Sequence, residues 1–282
     1  GMKRNKTNII LAIIFLIGLS VMLYPSFSNY WNDRHQSKAV ASYNSQVQKM
    51  NKTDYKKMFA EAEAYNKELR NVAHPFENYK EVPGYDNILD VTDTGIMGYV
   101  TIDKIKVELP IYHGTSEGVL QIAVGHLAGS SLPVGGKGTH TVLSAHRGLP
   151  SAKLFSNLDK LEEGDTFEIT VLNKKMTYQV DQIHIVNPGD LKDLQVDPDK
   201  DYCTLMTCTP YGINTHRLLV RGVRVDGTAD AYVPADAYQI EPKVVAVATT
   251  IALVTLAMVY VVISWIVKCR KRTAVKEKDE EI

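Results

Sequence analysis

Hydrophobic and polar positions divide the chain into two apolar segments and a patterned region between them. Residues 8–27 are mostly apolar and follow basic side chains in residues 1–7, and residues 244–267 carry no charge. Because a membrane-spanning helix needs about 20 apolar residues, residues 244–267 are predicted to span a membrane. Residues 8–27 are borderline in length. They predict a retained transmembrane anchor or signal-anchor, with a cleaved signal peptide as the alternative.

Basic residues lie on the outer side of both apolar segments, in residues 1–7 and again in residues 268–282. Cytoplasmic flanks of membrane helices are enriched in lysine and arginine, so both termini are predicted to be cytoplasmic. The region between the segments is then extracellular and attached to the cell membrane. The 32 basic and 32 acidic residues give a net charge of zero, which argues against nucleic-acid binding.

The region between the apolar segments begins with helical periodicity. Apolar residues recur at three- and four-residue spacing within residues 28–72, as at Val40 and Tyr43, and Asn51 is placed to cap a second helix. Residues 73–95 contain proline and glycine at short intervals and are predicted to be irregular.

Residues 96–228 change to short apolar runs separated by turn residues, a pattern typical of strands. The spacing predicts a mainly β domain, an antiparallel barrel, with one helix at Ser151–Leu158. Residues 229–243 are predicted to link this domain to the second apolar segment. The predicted strands are Tyr99–Ile102, Thr139–Leu143, Thr166–Val171, Met176–Val186, Tyr202–Cys208 and Arg217–Val225.

The chain has three cysteines, of which Cys269 follows the second apolar segment, while Cys203 and Cys208 lie in the exported region. Their odd spacing along one strand points the two side chains to opposite faces, so we expect them not to pair. Cys203 is assigned to the core. Cys208 ends its strand before a Pro-Gly loop and is a candidate nucleophile; the alternative is a small buried hydrophobic side chain.

Two further residues lie at strand ends and complement the thiol. His146 follows the apolar run Thr141–Leu143, and Arg217 begins the strand after the Cys208 loop. Acyl transfer by a cysteine requires a thiolate, a proton carrier and a fixed positive charge near the developing oxyanion. The pattern therefore predicts that Cys208, His146 and Arg217 converge on one acyl-transfer site.

These residues resemble the sortase family of Gram-positive bacteria. Thr204–Cys208 reads Thr-Leu-Met-Thr-Cys and matches the family's Thr-Leu-x-Thr-Cys motif, and the family's histidine and arginine fall on His146 and Arg217. Similarity extends over about residues 98–224, and segments such as Gly148–Phe155 look most like the pilus-assembling class C branch. The resemblance implies a sortase-type eight-stranded β-barrel with N-terminal helices and flanking transmembrane helices.

The resemblance also implies an activity, that of a cysteine transpeptidase. Cys208 is expected to cleave Leu-Pro-x-Thr-Gly-like sorting signals on exported pilin subunits, and an acceptor lysine of another pilin to resolve the thioacyl enzyme into an isopeptide bond. Neither a metal nor an organic cofactor is expected. The alternatives are a housekeeping sortase that anchors surface proteins to peptidoglycan, and a surface scaffold without catalysis.

The segment His74-Pro75-Phe76 resembles the lid of class C sortases, which usually reads Asp-Pro-aromatic. Such a lid lies over the empty site, with its aromatic side chain near the cysteine and its aspartate near the arginine. Histidine in place of aspartate removes the acid partner of Arg217, so the resemblance implies a loosely held lid. The alternative is a plain linker.

Other histidines and arginines in this region receive structural interpretations. His113, His126, His140 and His146 lie within one stretch, which raises a zinc site as an alternative, but their spacing lacks a helical i, i+4 pair and no Cys-x-x-Cys accompanies them. We therefore predict no metal site. The first three are predicted to be structural histidines, and His216 is predicted to face away from Arg217. Three arginines are predicted to be ordinary surface cations: Arg147, Arg221 and Arg224.

Overall fold

The computed structural model describes residues 2–225, together with Val254 and Met258. The described residues from 2 to 225 form one compact unit, which contains the helical region and the barrel. The predicted linker (229–243) and the predicted cytoplasmic tail (268–282) lie outside the described residues. So does the predicted second transmembrane segment (244–267), except for Val254 and Met258.

The helical region consists of two long helices, α1 (Met2–Lys49) and α2 (Lys52–Leu69). Helix α1 runs without interruption through Pro25, so the first apolar segment and the helical segment after it form one continuous helix. Within the described residues, its part from Leu11 onward is the one helix that is long and apolar enough to cross a membrane.

The break between α1 and α2 lies at Asn51, where the sequence predicted it. The Asn51 side chain accepts hydrogen bonds from the backbone N–H groups of Thr53 and Asp54, and the Asp54 carboxylate accepts one from the Asn51 backbone. This reciprocal arrangement satisfies N–H groups that the first turn of a helix leaves without partners.

Helix α1 is attached to the barrel through buried contacts. Tyr43 is fully buried; its hydroxyl donates to the Met97 carbonyl (2.9 Å) and accepts from the Leu172 backbone N–H (2.8 Å). Burial raises the pKa of the Tyr43 hydroxyl far above its usual value, so the group stays neutral and available for both bonds. The contact fixes α1 against the first strand and the turn between the fifth and sixth.

Eight strands close into a barrel, which confirms the predicted mainly β fold. Around the barrel their order is β1-β2-β3-β4-β7-β8-β6-β5. Short helices α3 (Pro75–Asn78) and α4 (Glu117–Leu120) precede β1 and β3 respectively. The strands are β1 (Ile96–Ile102), β2 (Val107–His113), β3 (Val124–His126), β4 (Thr139–Ser144), β5 (Thr166–Val171), β6 (Lys174–Val186), β7 (Asp201–Thr209) and β8 (His216–Arg224).

The barrel is not wholly antiparallel, and this corrects the prediction. Strand β2 pairs with β3 in parallel, and β4 pairs with β7 in parallel. Parallel neighbours need long crossover connections. Helix α4 lies in the first crossover, and β5 and β6 lie in the second. Alternation of apolar residues identifies a strand but carries no information on the direction of its partner.

The helix predicted at Ser151–Leu158 is also wrong. The segment forms turns followed by a short 3-10 helix, Leu158–Lys160. The Phe155 backbone N–H donates to the His146 carbonyl (3.2 Å), which closes the segment into a loop instead of a helical ladder. We call residues 147–155 the His146 loop.

Candidate active site

Cys208 and Arg217 lie directly opposite each other on neighbouring antiparallel strands. The register of β7 and β8 pairs Met206 with Leu219, Cys208 with Arg217, and Thr209 with the exposed His216. Directly opposite residues project from the same face with Cβ atoms about 4.5–5.5 Å apart. The half-buried thiol and guanidinium therefore share one face at the end of the hairpin, and His216 points to the other.

The Arg217 guanidinium is held at the loop between β7 and β8. Its Nη1 donates to the carbonyl oxygens of Asn214 (3.4 Å) and His216 (3.1 Å). A guanidinium carries five N–H donors in a fixed plane. Donors beyond those used in these two bonds remain for a substrate carbonyl beside Cys208.

His146 reaches the same end of the barrel from strand β4. The parallel register pairs Ser144 with Met206, and it continues past the strand because the Ala145 N–H donates to the Met206 carbonyl (3.2 Å) and the Thr207 hydroxyl donates to the Ala145 carbonyl (2.8 Å). His146 is the next residue along, level with Cys208. Three adjacent strands thus bring together the three residues that the sequence predicted to converge.

A carboxylate that sequence reasoning missed lies against His146. Glu117, in the first turn of α4, places Oε1 3.5 Å from His146 Nε2, and that nitrogen is buried without a hydrogen bond to any described residue. Gln121 donates to the same oxygen (3.0 Å), and this bond, followed by the imidazole, lowers the pKa of Glu117.

The Phe76 segment lies over the outer face of the same strands. Phe76 packs on a cluster whose buried members are Val142, Leu194 and Leu219, with Met206 at its edge. Met206 and Cys208 are two residues apart on one face of β7, about 7 Å along the strand. Phe76 therefore packs on the outer face of the barrel that also carries Cys208.

The backbone of this segment is fitted closely to the loop between β3 and β4. A Cβ atom at Gly129 would lie 2.5 Å from the Phe76 Cα and 2.5 Å from the Pro75 carbonyl oxygen. Gly129 also has a φ of 92°, which disfavours other residues. His74 is exposed and directly precedes helix α3, in the left-handed conformation with a φ of 54°.

Arg147 is not the surface cation that the sequence predicted. Its side chain is only 8% exposed, and its Nη2 lies 2.7 Å from the Asp159 carboxylate. The guanidinium also donates to the Thr209 hydroxyl (3.3 Å) and lies 5.8 Å from the centre of the Tyr211 ring. Arg147 thus joins the His146 loop to the loop that follows Cys208.

Arg221 and Arg224 are likewise not ordinary surface cations. Arg221 makes a bidentate bond to Asp181, at 3.1 and 2.9 Å, and its guanidinium stacks over the Tyr202 ring at 4.2 Å. Arg224 lies 5.7 Å from the Tyr178 ring. These contacts stiffen the β6–β7–β8 wall far from the thiol, and an isolated sequence position gives no sign of them.

The two thiols of the described region differ sharply in environment. Cys203 is fully buried in the main core, and burial raises its pKa well above the usual value, which keeps it protonated. Cys208 is partly accessible. Within residues 2–225 both are free thiols. The accessible thiol is the one that lies beside Arg217.

Three other histidines are bonded within the fold. His113 contacts the carbonyls of Gly95 (2.9 Å) and Ile88 (2.8 Å). His126, fully buried, contacts the Tyr85 hydroxyl (2.9 Å) and the Ser131 carbonyl (2.9 Å). These partners occupy both ring nitrogens of each imidazole.

His140 is buried as well, between the Gln195 carbonyl (2.8 Å) and the Thr204 hydroxyl (2.7 Å). Desolvation lowers the pKa of His126 and of His140 to about 4. In the unfolded chain each protonates near pH 6.5.

The buried histidines predict acid destabilisation. Between pH 6.5 and 4 the unfolded state binds protons at His126 and His140, whereas the folded state does not. Each histidine therefore reduces the unfolding free energy by up to about 1.4 kcal/mol per pH unit as the pH falls. Urea unfolding at pH 7, 6 and 5 measures this slope. His140→Gln should flatten this slope relative to the wild type. An equal slope in the two proteins would contradict the prediction.

Comparisons with known proteins place this geometry in a family. The sequence pattern of the sortase domain matches residues 100–225. The crystal structure of sortase C1 from Streptococcus agalactiae is 51% identical, with a TM-score of 0.62, and the match covers 67% of this chain and 99% of that one. The chain belongs to the sortase family. Its structural neighbours are class C sortases, and its barrel is the sortase barrel.

Two further relatives extend the comparison. Sortase C from Streptococcus pneumoniae, whose crystal structure bears on catalysis and pilin substrate specificity, is 45% identical with a TM-score of 0.61, covering 68% of this sortase and 98% of that chain. Sortase D of Bacillus subtilis (strain 168) is 31% identical over 131 residues, which are 45% of this chain and 63% of that protein. This sortase thus matches less than two thirds of that curated relative's length.

Proposed function

We propose that the protein is a membrane-anchored cysteine transpeptidase that joins pilin subunits. The observation that carries the proposal is the cross-strand pair of Cys208 and Arg217, with His146 level with the thiol on the adjacent strand. This arrangement supplies the nucleophile, the fixed cation and the proton carrier that acyl transfer needs.

The first half of the cycle cleaves the sorting signal. The Cys208 thiol gives its proton to His146, and Sγ attacks the carbonyl carbon of the Thr-Gly bond in a Leu-Pro-x-Thr-Gly-like sequence. Arg217 binds the carbonyl oxygen as it becomes negatively charged. The C–N bond breaks, His146 protonates the glycine amine that leaves, and a thioacyl enzyme remains.

The second half transfers the acyl group to a lysine amine of another pilin. The neutral amine attacks the thioester carbon and loses a proton to His146, the C–S bond breaks, and Cys208 leaves as the thiolate. The product is an isopeptide bond between two subunits. The cycle needs neither a metal nor an organic cofactor, because every proton and bond is accounted for by the three side chains and the two substrates.

The site of action is the extracellular face of the cell membrane. The continuous helix α1 supports this proposal, because its apolar stretch is unburied and long enough to span a bilayer. Sorting signals occur on exported proteins, so the barrel must lie on the side to which they are exported.

A transfer assay separates the proposal from its rivals. The full chain in proteoliposomes is incubated with a sorting-signal peptide and two competing acceptors, a lysine-bearing pilin and a peptidoglycan-precursor amine. Mass spectrometry of a Cys208 thioacyl adduct and of the isopeptide product supports the proposal. Transfer to the precursor alone identifies a housekeeping sortase, and the absence of any adduct identifies a scaffold.

The segment His74–Phe76 is proposed to be a lid. Its support is the packing of Phe76 on the outer barrel face that carries Cys208 and the close approach of its backbone to Gly129. A sorting peptide bound along this face up to Cys208 would have to displace Phe76. Because His74 lacks the acid that would pair with Arg217, apolar packing is the main restraint on the lid.

Phe76→Ala is expected to raise the reactivity of the Cys208 thiol severalfold, because a lid held by about 1 kcal/mol opens readily even in the wild type. Stopped-flow alkylation of the two proteins measures the rates. Phe59→Ala provides a matched control, since Phe59 is a half-buried aromatic residue on α2 beside Lys174. Equal rates for wild type and Phe76→Ala would mean that the segment is only a linker.

Glu117→Gln is expected to slow thioacyl formation severalfold. The Glu117 carboxylate places a negative charge 3.5 Å from His146 Nε2, beside the ring that receives the thiol proton, and a neutral amide of the same shape does not. Rates are measured by rapid quench with a sorting peptide. Glu163→Gln, at an exposed position before β5, is the control and should retain the wild-type rate. Unchanged kinetics in Glu117→Gln would show that the pair has no role in proton transfer.

A further inference from the structure

The anchor helix reaches the loop that follows His146. The Ser28 hydroxyl and the Asn32 side-chain amide both donate to the carbonyl oxygen of Ser151, the former at 3.3 Å. Ser28 and Asn32 are four residues apart, so they lie on one face of α1. Two donors from the membrane helix thus converge on one backbone atom of the His146 loop.

The loop in turn is closed at the active site. The Phe155 N–H donates to the His146 carbonyl (3.2 Å), and the Gly148 N–H donates to the Ser156 hydroxyl (3.1 Å). Both ends of the loop are therefore tied beside the imidazole.

The position of Ser28 and Asn32 along α1 sets the height of this loop above a bilayer. Ser28 directly follows Phe27, the end of the apolar stretch, and Asn32 lies five residues after it. At 1.5 Å per helical residue, both donors lie within about 8 Å of that end. The headgroup layer on each side of a bilayer is about 5–7 Å thick.

Aromatic residues on α1 indicate the same height independently. Tyr24, Phe27, Tyr30 and Trp31 are each more than half exposed, at 57%, 65%, 60% and 55%. Tyrosine and tryptophan are enriched where a membrane helix leaves the hydrocarbon, because their rings are apolar at one end and polar at the other. These residues span the level of the Ser28 and Asn32 donors.

We propose that the bilayer surface is a direct partner of the active site: Ser28 and Asn32 hold the His146 loop in the headgroup layer, so that the site opens at the membrane surface. The inference rests on the proposed membrane anchoring by α1. It adds that the barrel does not move freely above its anchor, and that a sorting signal must be presented at the lipid surface to reach Cys208.

Fluorescence quenching tests the depth of the loop. Trp31 and Trp265, the two tryptophans of the chain, are replaced by phenylalanine, and a single tryptophan is introduced by Pro150→Trp or by Lys137→Trp. Pro150 is exposed in the His146 loop, and Lys137 is exposed beside the opposite end of β4. The full chain is inserted into vesicles whose lipids carry bromine close to the headgroup.

We expect the Pro150→Trp protein to lose most of its emission in brominated vesicles and the Lys137→Trp protein to keep it. Equal emission from the two proteins would overturn the inference. Flotation of the vesicles reports anchoring separately: a chain that does not float refutes the anchoring itself. A chain that floats without quenching at position 150 refutes only the placement of the loop.

The role of the two hydrogen bonds from α1 to the Ser151 carbonyl is tested by the double variant Ser28→Ala, Asn32→Ala. We expect reduced quenching at position 150 and about fivefold slower processing of a bilayer-held sorting substrate, the loss that one ordinary hydrogen bond accounts for. Reaction with a soluble sorting peptide should not change. Ser37→Ala is the control, because the Ser37 hydroxyl bonds the Asp33 carbonyl of its own helix (2.9 Å). Equal slowing with both substrates would refute the surface role.

Discussion

Cys208→Ala is expected to abolish thioacyl formation while the barrel remains folded. The variant loses a single sulfur atom from a half-buried position at the end of β7, so little packing is lost. The chemistry has no substitute, because the other described thiol, Cys203, is fully buried on the opposite face of the strand. Intact-protein mass spectrometry after incubation with a sorting peptide measures the adduct, and circular dichroism confirms the fold.

Cys203→Ala is the matched control for this experiment. It removes the same atom from the same strand, but from the interior of the barrel, so we expect a loss of stability on the order of 1 kcal/mol and a normal adduct on Cys208. Full polymerising activity in Cys208→Ala would refute the proposed function. Loss of the adduct in a folded Cys203→Ala protein would identify Cys203 as the nucleophile.

The convergence of Cys208, His146 and Arg217 could be predicted because each residue lies at the end of an apolar run. A short loop between two such runs predicts a hairpin, and a hairpin places residues near its two ends opposite each other. The register of β7 and β8 pairs Cys208 with Arg217 in this way. His146 required the resemblance as well, since its neighbour β7 follows it by two intervening strands.

Glu117 was not predictable in the same way. It precedes His146 by 29 residues and is brought beside it by the parallel pairing of β2 with β3 and the antiparallel pairing of β3 with β4. Strand direction depends on how the crossovers pack, which apolar alternation does not encode. The predicted antiparallel barrel failed for this reason, and the carboxylate on the imidazole was missed with it.

Arg147 shows a second limit of the sequence. Its neighbours along the chain are polar or small, which is typical of an exposed loop, yet Asp159 and Tyr211 enclose it from segments 12 and 64 residues away. Burial of a charge by distant partners leaves no local signature. The same applies to Ser28 and Asn32, whose bonds to Ser151 span more than 100 residues.

Arg217→Ala is expected to reduce the rate of thioacyl formation by about 10²–10³, the usual effect of removing one donor to a developing oxyanion. The loss should appear mainly in kcat, because the carbonyl oxygen gains most of its charge after binding. Arg217→Lys should restore little of the rate. A lysine ammonium lacks the planar fork that bonds the Asn214 and His216 carbonyls through Nη1 while other N–H groups reach the substrate.

Arg221→Ala is the control for charge and strand position. Arg221 lies on the same strand and pairs with Thr204, four residues before Cys208, but its guanidinium is bound to Asp181 and stacked on Tyr202. We therefore expect lower thermal stability in Arg221→Ala with a nearly normal rate per folded molecule. A wild-type rate in Arg217→Ala would contradict the proposed role of Arg217. Backbone N–H groups at the start of the β7–β8 loop would then have to stabilise the oxyanion.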